Sequence, residues 1–185
     1  MKRVLIVSLA AAVLSGCGYN RIQMLDEEVN GFKSEIEVQL QRRADLIPNL
    51  VETVRGFAAQ ELAVFEQVSS ARAALGGAIE GGSIAEMAAA NAALTSALGR
   101  LIAVVEDNPE IRSDQNFRML QDQLEGTENR IATARSDYNG AVREYNAYIR
   151  RFPQVLTAKA IGADAREYFE AEEAAREAPE VDFTQ

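Results

Sequence analysis

The chain lacks most of the side chains with which proteins perform nucleophilic or metal-dependent chemistry. Its 185 residues include one Cys and no His. The composition therefore excludes a Ser–His–Asp triad, an imidazole base, a His-ligated metal and an internal disulfide. With 19 basic and 28 acidic side chains, the formal net charge of −9 argues against nucleic-acid binding. No cofactor or metal is predicted.

The one cysteine, Cys17, follows a short apolar segment. Lys2 and Arg3 precede eleven residues, at positions 4–14, that are apolar except for Ser8. This length is typical of the apolar core of a signal peptide and falls short of the roughly 20 residues that cross a bilayer as a helix. The sequence LSGC at positions 14–17 resembles the bacterial lipobox, whose cysteine becomes the lipidated first residue of the mature chain. The alternative is an uncleaved membrane anchor with Cys17 incidental at its outer edge.

We therefore expect residues 1–16 to be a lipoprotein-type signal peptide and residues 17–21 to be the anchor and a short linker. Cleavage before Cys17 would leave 17 basic and 28 acidic side chains, a charge of −11. Because so acidic a body is not held on anionic lipid by its own surface, we expect membrane attachment through the N-terminal lipid or signal anchor alone. Gly18 follows Cys17, instead of the Asp associated with inner-membrane retention. In a two-membrane bacterium the lipobox resemblance thus implies the outer membrane, with the folded part facing the periplasm.

Four polar residues share one face of a predicted helix. Arg42, Asp45, Asn49 and Glu52 are spaced by three, four and three residues. One interpretation is an interaction stripe that recognises a partner protein. The other is a solvated face, whose i,i+3 and i,i+4 pairs contribute about 0.2–0.5 kcal/mol each.

A second group of charged residues falls in or beside apolar stripes. Arg43 and Glu61 lie in the phase of one stripe, and Glu128 and Arg135 border another. Arg43 and Glu61 are 18 residues apart, about 27 Å along a straight helix, so they cannot pair with each other. We expect these four to be buried polar residues that form pairs between helices, which fix register more often than they catalyse a reaction. The alternatives are that Arg43 extends to solvent or binds a ligand.

These residues lie on predicted helices, because apolar residues recur at helical spacing along most of the chain. The first helix is predicted from near Ile22 through Val68. Pro48 would either kink this helix or break it, with Asp45 as the N-cap of a new one, and we favour the kink. The stripe of this helix consists of Ile36, Leu40, Ile47, Leu50, Val54, Phe57, Phe65 and Val68.

Glycine and proline mark the ends of the remaining helices. Glycines at 76–77 and 81–82 are expected to bracket a loop before a second helix at about 84–105. Pro109 ends that helix, and Ser113 or Asp114 caps a third, which runs to about Phe152. A weaker fourth segment is broken by Gly162. The expected fold is all-α, an up-and-down antiparallel bundle of about four helices over residues 22–178, with a C-terminal tail at 179–185.

Several separated stretches together resemble the LemA family of bacterial envelope proteins. They are VQLQRRADLIPNLVETV at 38–54, VEDNP at 105–109, NF at 116–117 with LQ at 120–121, TE at 127–128 with IA at 131–132 and AR at 134–135, and YN at 138–139 and 145–146 with FP at 152–153. Members usually carry an uncleaved N-terminal transmembrane helix, and the lipobox-like segment differs from this pattern. Ala44 stands where many members have His. The resemblance implies a helical bundle, no assigned enzymatic activity, and a role in envelope maintenance or signalling.

The predicted function is a membrane-anchored, non-catalytic module that binds an envelope protein or acts as a scaffold. Because the first predicted helix is more than twice as long as the second, part of it has no matching helix in the chain, which favours a partner protein or self-association. One alternative is a carboxylate-dependent envelope hydrolase, which would need two acids facing a cleft, whereas the predicted connections are short. Another is a purely structural tether.

Replacing Cys17 with Ser separates lipidation from a plain membrane anchor. If Cys17 is lipidated, wild-type protein extracted from membranes carries the mass of the lipid, and Cys17→Ser loses that mass. Fractionation followed by intact-mass measurement checks this. If the variant stays in the membrane at the uncleaved mass, and the wild type also carries no lipid mass, the segment is a signal anchor instead.

Overall fold

A computed structural model describes the backbone of residues 2–170 and the side chains of residues 18–170. Over this range the chain forms six helices and no strand, which confirms the all-α fold class. The helices are α1 (Lys2–Arg55), α2 (Leu62–Gly81), α3 (Ile84–Glu106), α4 (Pro109–Ser113), α5 (Gln115–Ile149) and α6 (Gln154–Ile161). The side chain of Cys17 and the predicted tail at 179–185 lie outside the described part.

Helix α1 continues through Pro48, so the alternative of a new helix capped by Asp45 is wrong. Proline has no N–H, and the carbonyl of Ala44 therefore lacks the donor that residue 48 would normally supply. The side chain of Arg72, on α2, replaces it, because its Nε donates to the Ala44 carbonyl over 2.8 Å. A neighbouring helix thus satisfies the backbone group that Pro48 leaves without a donor.

The first helix ends earlier than predicted, at Arg55, and α2 begins at Leu62. Helix α1 stops before Gly56, and glycine has the poorest helix propensity after proline. Val54 and Phe65 are eleven residues apart, close to three helical turns, so the apolar stripe keeps its phase although the chain leaves the helix between them. Phe57, which the prediction placed in that stripe, is exposed.

The loop predicted between the glycine pairs is much shorter than expected. Helix α2 includes Gly76 and Gly77 and ends at Gly81. Gly82 then adopts a left-handed conformation with φ of 69°, which glycine adopts without steric cost, and its N–H bonds the carbonyls of Ala78 and Ile79. The side chain of Ser83 accepts a hydrogen bond from the N–H of Glu86 and caps α3.

The C-terminal half follows the predicted order with two corrections. Asp114 caps α5 by accepting the N–H of Phe117 over 2.9 Å, as predicted for Ser113 or Asp114. The short helix α4 before it was not predicted, because five residues are too few to show periodicity. Helix α5 ends at Ile149, and Phe152, predicted as the last residue of its stripe, is 80% exposed.

The helices pack as two units, each with its own core. The first unit comprises Met1–Ile36 and Ala132–Tyr168, and the second contains Glu37–Ile131. Fully or nearly buried side chains of the first unit include Ile22, Leu25, Val29, Ile36, Tyr138, Val142, Tyr145 and Ile149. Those of the second include Leu40, Ile47, Leu50, Val54, Phe65, Val68, Leu75, Met87, Leu94, Leu101, Ile111, Phe117 and Ile131.

Helix α3 is apolar and long enough to cross a membrane, by length and composition. It nevertheless packs against α2 through a connection of two residues, Gly82 and Ser83, and buries Met87, Leu94 and Leu101 in the second unit. The core helix of a soluble bundle has the same features.

We expect the Arg72 side chain and Pro48 to be energetically coupled. Arg72→Met should lower the free energy of unfolding by about 1 kcal/mol, because the carbonyl of Ala44 then lacks a donor. In a Pro48→Ala background, a backbone N–H at position 48 bonds the same carbonyl, so the same change should cost about 0.5–1 kcal/mol less. Urea unfolding of the four proteins measures this coupling.

Arg100 provides the control for this double-mutant cycle, because its Nη1 donates to the exposed side chain of Gln67 over 2.6 Å and not to the Ala44 carbonyl. Arg100→Met should have the same effect with and without Pro48. Equal losses for Arg72→Met in the two backgrounds would contradict the coupling.

Candidate functional site

A buried guanidinium joins three helices of the second unit. Arg43 lies on α1, and its side chain is only 6% exposed. Its Nη1 donates to Oδ1 of Asn91 on α3 over 2.6 Å, and its Nη2 donates to Oγ1 of Thr95 over 3.0 Å. The same Nη1 lies 2.7 Å from Oε2 of Glu128 on α5. Arg43 therefore does not extend to solvent. We call Arg43, Asn91, Thr95 and Glu128 the Arg43 cluster.

The electrostatics of the Arg43 cluster suit a structural role. Burial lowers the pKa of Arg43, while the negative charge of Glu128 opposes that shift. A guanidinium has so high an ordinary pKa that it remains charged. Glu128 is 45% exposed, and its Oε2 faces Nη1 at ion-pair distance without the alignment of a hydrogen bond. Asn91 and Thr95 therefore make the hydrogen bonds to the buried charge, and Glu128 supplies the opposite charge.

Of the four residues predicted to be buried polar residues, the structure brings together Arg43 and Glu128. Glu61 is only half-buried, since α1 has already ended and Glu61 directly precedes α2. Its backbone carbonyl accepts the N–H groups of Val64 and Phe65. Arg135 is half-buried on α5, in the first unit.

Sequence reasoning missed the α3 side of the Arg43 cluster. Asn91 is buried and lies in phase with Met87, Leu94 and Leu98, at spacings of four, three and four. One amide within an otherwise apolar stripe was the available signal, because a buried amide needs a polar partner.

The predicted interaction stripe lies on the exposed face of α1. Arg42, Asp45, Asn49 and Glu52 are all exposed, and they follow one another without interruption at Pro48. Asp45 accepts a hydrogen bond from Gln41 over 2.8 Å, and the carboxylate of Glu52 lies 3.5 Å from Arg55. Both partners come from α1 itself, and no other helix in the described part of the chain bonds these two carboxylates.

Val38 extends this face by one more turn. It is 53% exposed and lies four residues before Arg42. We call Val38, Arg42, Asp45, Asn49 and Glu52 the α1 stripe. Their spacing of four, three, four and three residues matches the repeat with which one helix packs along another.

A second polar cluster holds an irregular segment in the first unit. Asn146 makes two hydrogen bonds with the backbone of Arg166, one to its carbonyl and one from its N–H, over 2.9 and 2.8 Å. The Tyr138 hydroxyl donates to the carbonyl of Glu167, and the Arg166 side chain donates twice to Oδ1 of Asp26. Asn146 thus bonds the segment after α6 instead of bridging two helices.

The charges of this cluster shift the pKa values of its members. The hydrogen bond with Asp26 is the main cause of the raised pKa of Arg166. Burial raises the pKa of Tyr138, and of Tyr145 nearby, where Asp26 and Asp164 add to the shift. The tyrosines therefore remain neutral hydrogen-bonding groups near neutral pH.

A cleft of about 420 Å³ lies beside this cluster, and the predicted alternative of a carboxylate-dependent hydrolase can be examined there. Asp26, Tyr145, Asp164 and Arg166 are among the residues that line it. Hydrolysis by two carboxylates requires a protonated acid and a free base, but Oδ1 of Asp26 already accepts both hydrogen bonds from Arg166. Within the described residues, no three acidic or thiol side chains are grouped so that they could hold a metal.

Comparison with known families identifies the chain. The family model of the LemA family matches residues 33–183, a range that includes the α1 stripe and the Arg43 cluster. The chain belongs to the LemA family. The resemblance found in the sequence is thus confirmed, and it covers most of this LemA-family chain.

Similar proteins include three that are named as magnetosome proteins. MamQ 2 and MamQ 1 of Paramagnetospirillum magneticum are each 33% identical over 176 residues, which cover 82% of this chain and 64% of theirs. MamQ of Magnetospirillum gryphiswaldense is 30% identical over 174 residues, with the same coverage. The LemA-family chain thus spans slightly less than two thirds of the length of these relatives.

We expect Arg43 and its neighbour Arg42 to differ sharply in their effect on stability. Arg43→Met should cost about 2–4 kcal/mol, because Asn91, Thr95 and Glu128 lose their shared partner in a buried site. Arg42→Met, one residue away on the exposed face, should change the free energy of unfolding by less than about 0.5 kcal/mol. Urea unfolding of both variants checks this, and a loss below about 0.5 kcal/mol for Arg43→Met would mean that the cluster contributes little.

Proposed function

We propose that this LemA-family chain is a membrane-anchored envelope protein that works without catalysis, as a protein-interaction or scaffold module. The observation that carries the proposal is the α1 stripe. It offers a continuous row of polar side chains and one apolar side chain on the exposed face of a helix. The opposite face of the same helix carries Arg43 and the buried apolar residues.

The arrangement of α1 favours recognition over a merely solvated surface. The Arg43 cluster and the bond from Arg72 to Ala44 hold the helix from its buried side, so the exposed side chains project from a backbone that is fixed before any partner binds. A preorganised surface loses less conformational entropy on binding than a flexible one. The exposed Val38 adds an apolar contact, which charged residues alone would not supply.

Two further considerations support a role without turnover. The ion pair of Arg43 with Glu128 joins helices in the second unit, and that of Arg166 with Asp26 holds a segment in the first. The carboxylate of Asp26, which lines the cleft, is therefore already bonded. The names of the three relatives refer to a cellular structure, the magnetosome, and not to a reaction. Attachment to a membrane through the N-terminal segment and Cys17, with the helical units outside that membrane, completes the proposal.

Site-specific crosslinking tests the interaction role. We expect a photo-reactive residue at Asn49, in full-length protein in its native membrane, to capture one discrete partner, either another envelope protein or a second copy of the chain. The same residue at Ser96, which is exposed on α3 of the same unit, serves as the control and should capture no such partner. Intact-mass and peptide analysis of the crosslinked band identifies the partner.

Charge reversal of the stripe sharpens this test. Asp45→Lys combined with Glu52→Lys should abolish the crosslinked band while the melting curve stays close to that of the wild type, since both side chains are exposed and bonded only within α1. Equal capture from Asn49 and Ser96, or a band that persists after charge reversal, would exclude the α1 stripe as the recognition surface. The stripe would then be a solvated helix face.

A further inference from the structure

The connection between α5 and α6 exposes apolar side chains that no described part of the chain covers. Phe152 is 80% exposed and Leu156 is 60% exposed, although both are large and apolar. Tyr19, on α1 in the same unit, is 46% exposed. A patch of several exposed apolar side chains often marks a surface that contacts a protein or a membrane.

The charge around these residues is opposite to that of the chain. From residue 145 to residue 163 the sequence contains no acidic side chain and three basic ones, Arg150, Arg151 and Lys159. All three are exposed, and none forms an ion pair with the described part of the chain. The chain as a whole carries a net charge of −9, so this is a locally basic region on an acidic protein.

This region lies beside the point where α1 leads into the apolar N-terminal segment. A Cβ on Gly18 would lie 3.5 Å from Oγ1 of Thr157 and 3.8 Å from Cγ of Gln154, so α6 packs directly against the residue after Cys17. The apolar residues at positions 4–14 end four residues earlier in the same helix, about 6 Å along its axis. Whether a lipid on Cys17 or the segment itself holds the membrane, the bilayer surface is close to Gly18.

The pairing of α1 with α5 places the exposed residues on the same side. Arg21 on α1 forms an ion pair with Glu144 on α5, and Gly18, three residues before Arg21, packs against α6, which follows α5. Moving from Glu144 toward Phe152 along the chain therefore corresponds to moving from Arg21 toward Cys17 along α1. The corner between α5 and α6 thus reaches the level at which the membrane begins.

We propose that the α5–α6 corner is a membrane-contact surface that binds a phospholipid headgroup layer. Phe152 and Leu156 enter the boundary between headgroups and acyl chains, while Arg150, Arg151 and Lys159 contact lipid phosphates. The contact adds a second point of attachment to the N-terminal one and so restricts the orientation of the first unit on the membrane. This inference rests on the membrane anchoring in the proposed function, and it amends the expectation that attachment comes from the N-terminus alone.

The absence of Trp from the chain allows a direct test. Full-length Phe152→Trp is reconstituted into vesicles of phosphatidylcholine and phosphatidylglycerol that carry lipids spin-labelled near the headgroup. We expect its emission to shift to the blue and to lose more than about half of its intensity, as for a side chain buried about 5–10 Å into the interface. Leu156→Trp should behave alike and serves as an independent reporter. Arg150→Gln with Arg151→Gln should weaken the quenching at position 152.

The control is Ser136→Trp in the same unit, which is exposed on α5 and lies 13 residues, about 20 Å, before Ile149. It should show neither the shift nor the quenching.

Flotation with the vesicles is measured in parallel, because it reports anchoring alone. If the protein floats but the fluorescence of the residue at position 152 is not quenched, the proposed membrane contact is wrong and the anchoring stands. A blue shift without lipid quenching would mean that protein, such as a second copy of the chain, covers the corner. This result would also overturn the membrane contact. Chain that does not float overturns both.

Discussion

The buried charge of Arg43 is the constraint on which the second unit depends. A guanidinium taken out of water loses its hydration, and only hydrogen-bond acceptors and a negative charge at fixed positions can replace it. Here the side-chain oxygens of an amide and a hydroxyl one turn apart on α3 accept hydrogen bonds from it, while a carboxylate on α5 supplies the opposite charge. Apolar side chains tolerate a shift of one helix along another, whereas these contacts do not. The Arg43 cluster therefore selects one register of α1, α3 and α5 among those that the apolar stripes permit.

The same part of α1 shows how a helix tolerates a proline when tertiary structure compensates. Pro48 is exposed and removes one backbone donor, which would weaken an isolated helix by about 3 kcal/mol relative to alanine. Arg72 approaches from α2 and bonds the carbonyl that lost its donor. As a result the exposed face continues past Pro48, and Arg42, Asp45, Asn49 and Glu52 remain in one row. The interaction surface that we propose therefore depends on Arg43 and Arg72, which hold α1 from the face opposite to that surface.

The first unit uses polar contacts for a different purpose. Residues 163–170 form no helix, and their backbone groups need partners that a helix would otherwise supply. Asn146 and Tyr138 on α5 bond this backbone, and Asp26 on α1 holds the side chain of Arg166. Because the segment is held to both helices, α6 is fixed beside Gly18. The basic and apolar corner between α5 and α6 is thereby kept at the end of the unit from which the apolar N-terminal segment departs.

The sequence by itself determined the helical class, the capping of α5 by Asp114, the end of α3 before Pro109 and the family, because these depend on local propensity, period and residue motifs. It also located Arg43 and Glu128 as charged residues in and beside apolar stripes. Only the tertiary structure decided that Asn91 and Thr95 complete the site of Arg43, since spacing can mark Asn91 as a buried amide but does not say which residue of another helix it contacts. It also decided that α1 ends before Gly56 and that Phe152 is exposed. In both places an apolar period continued in phase past the end of a helix, and periodicity alone does not report where the backbone hydrogen bonds stop.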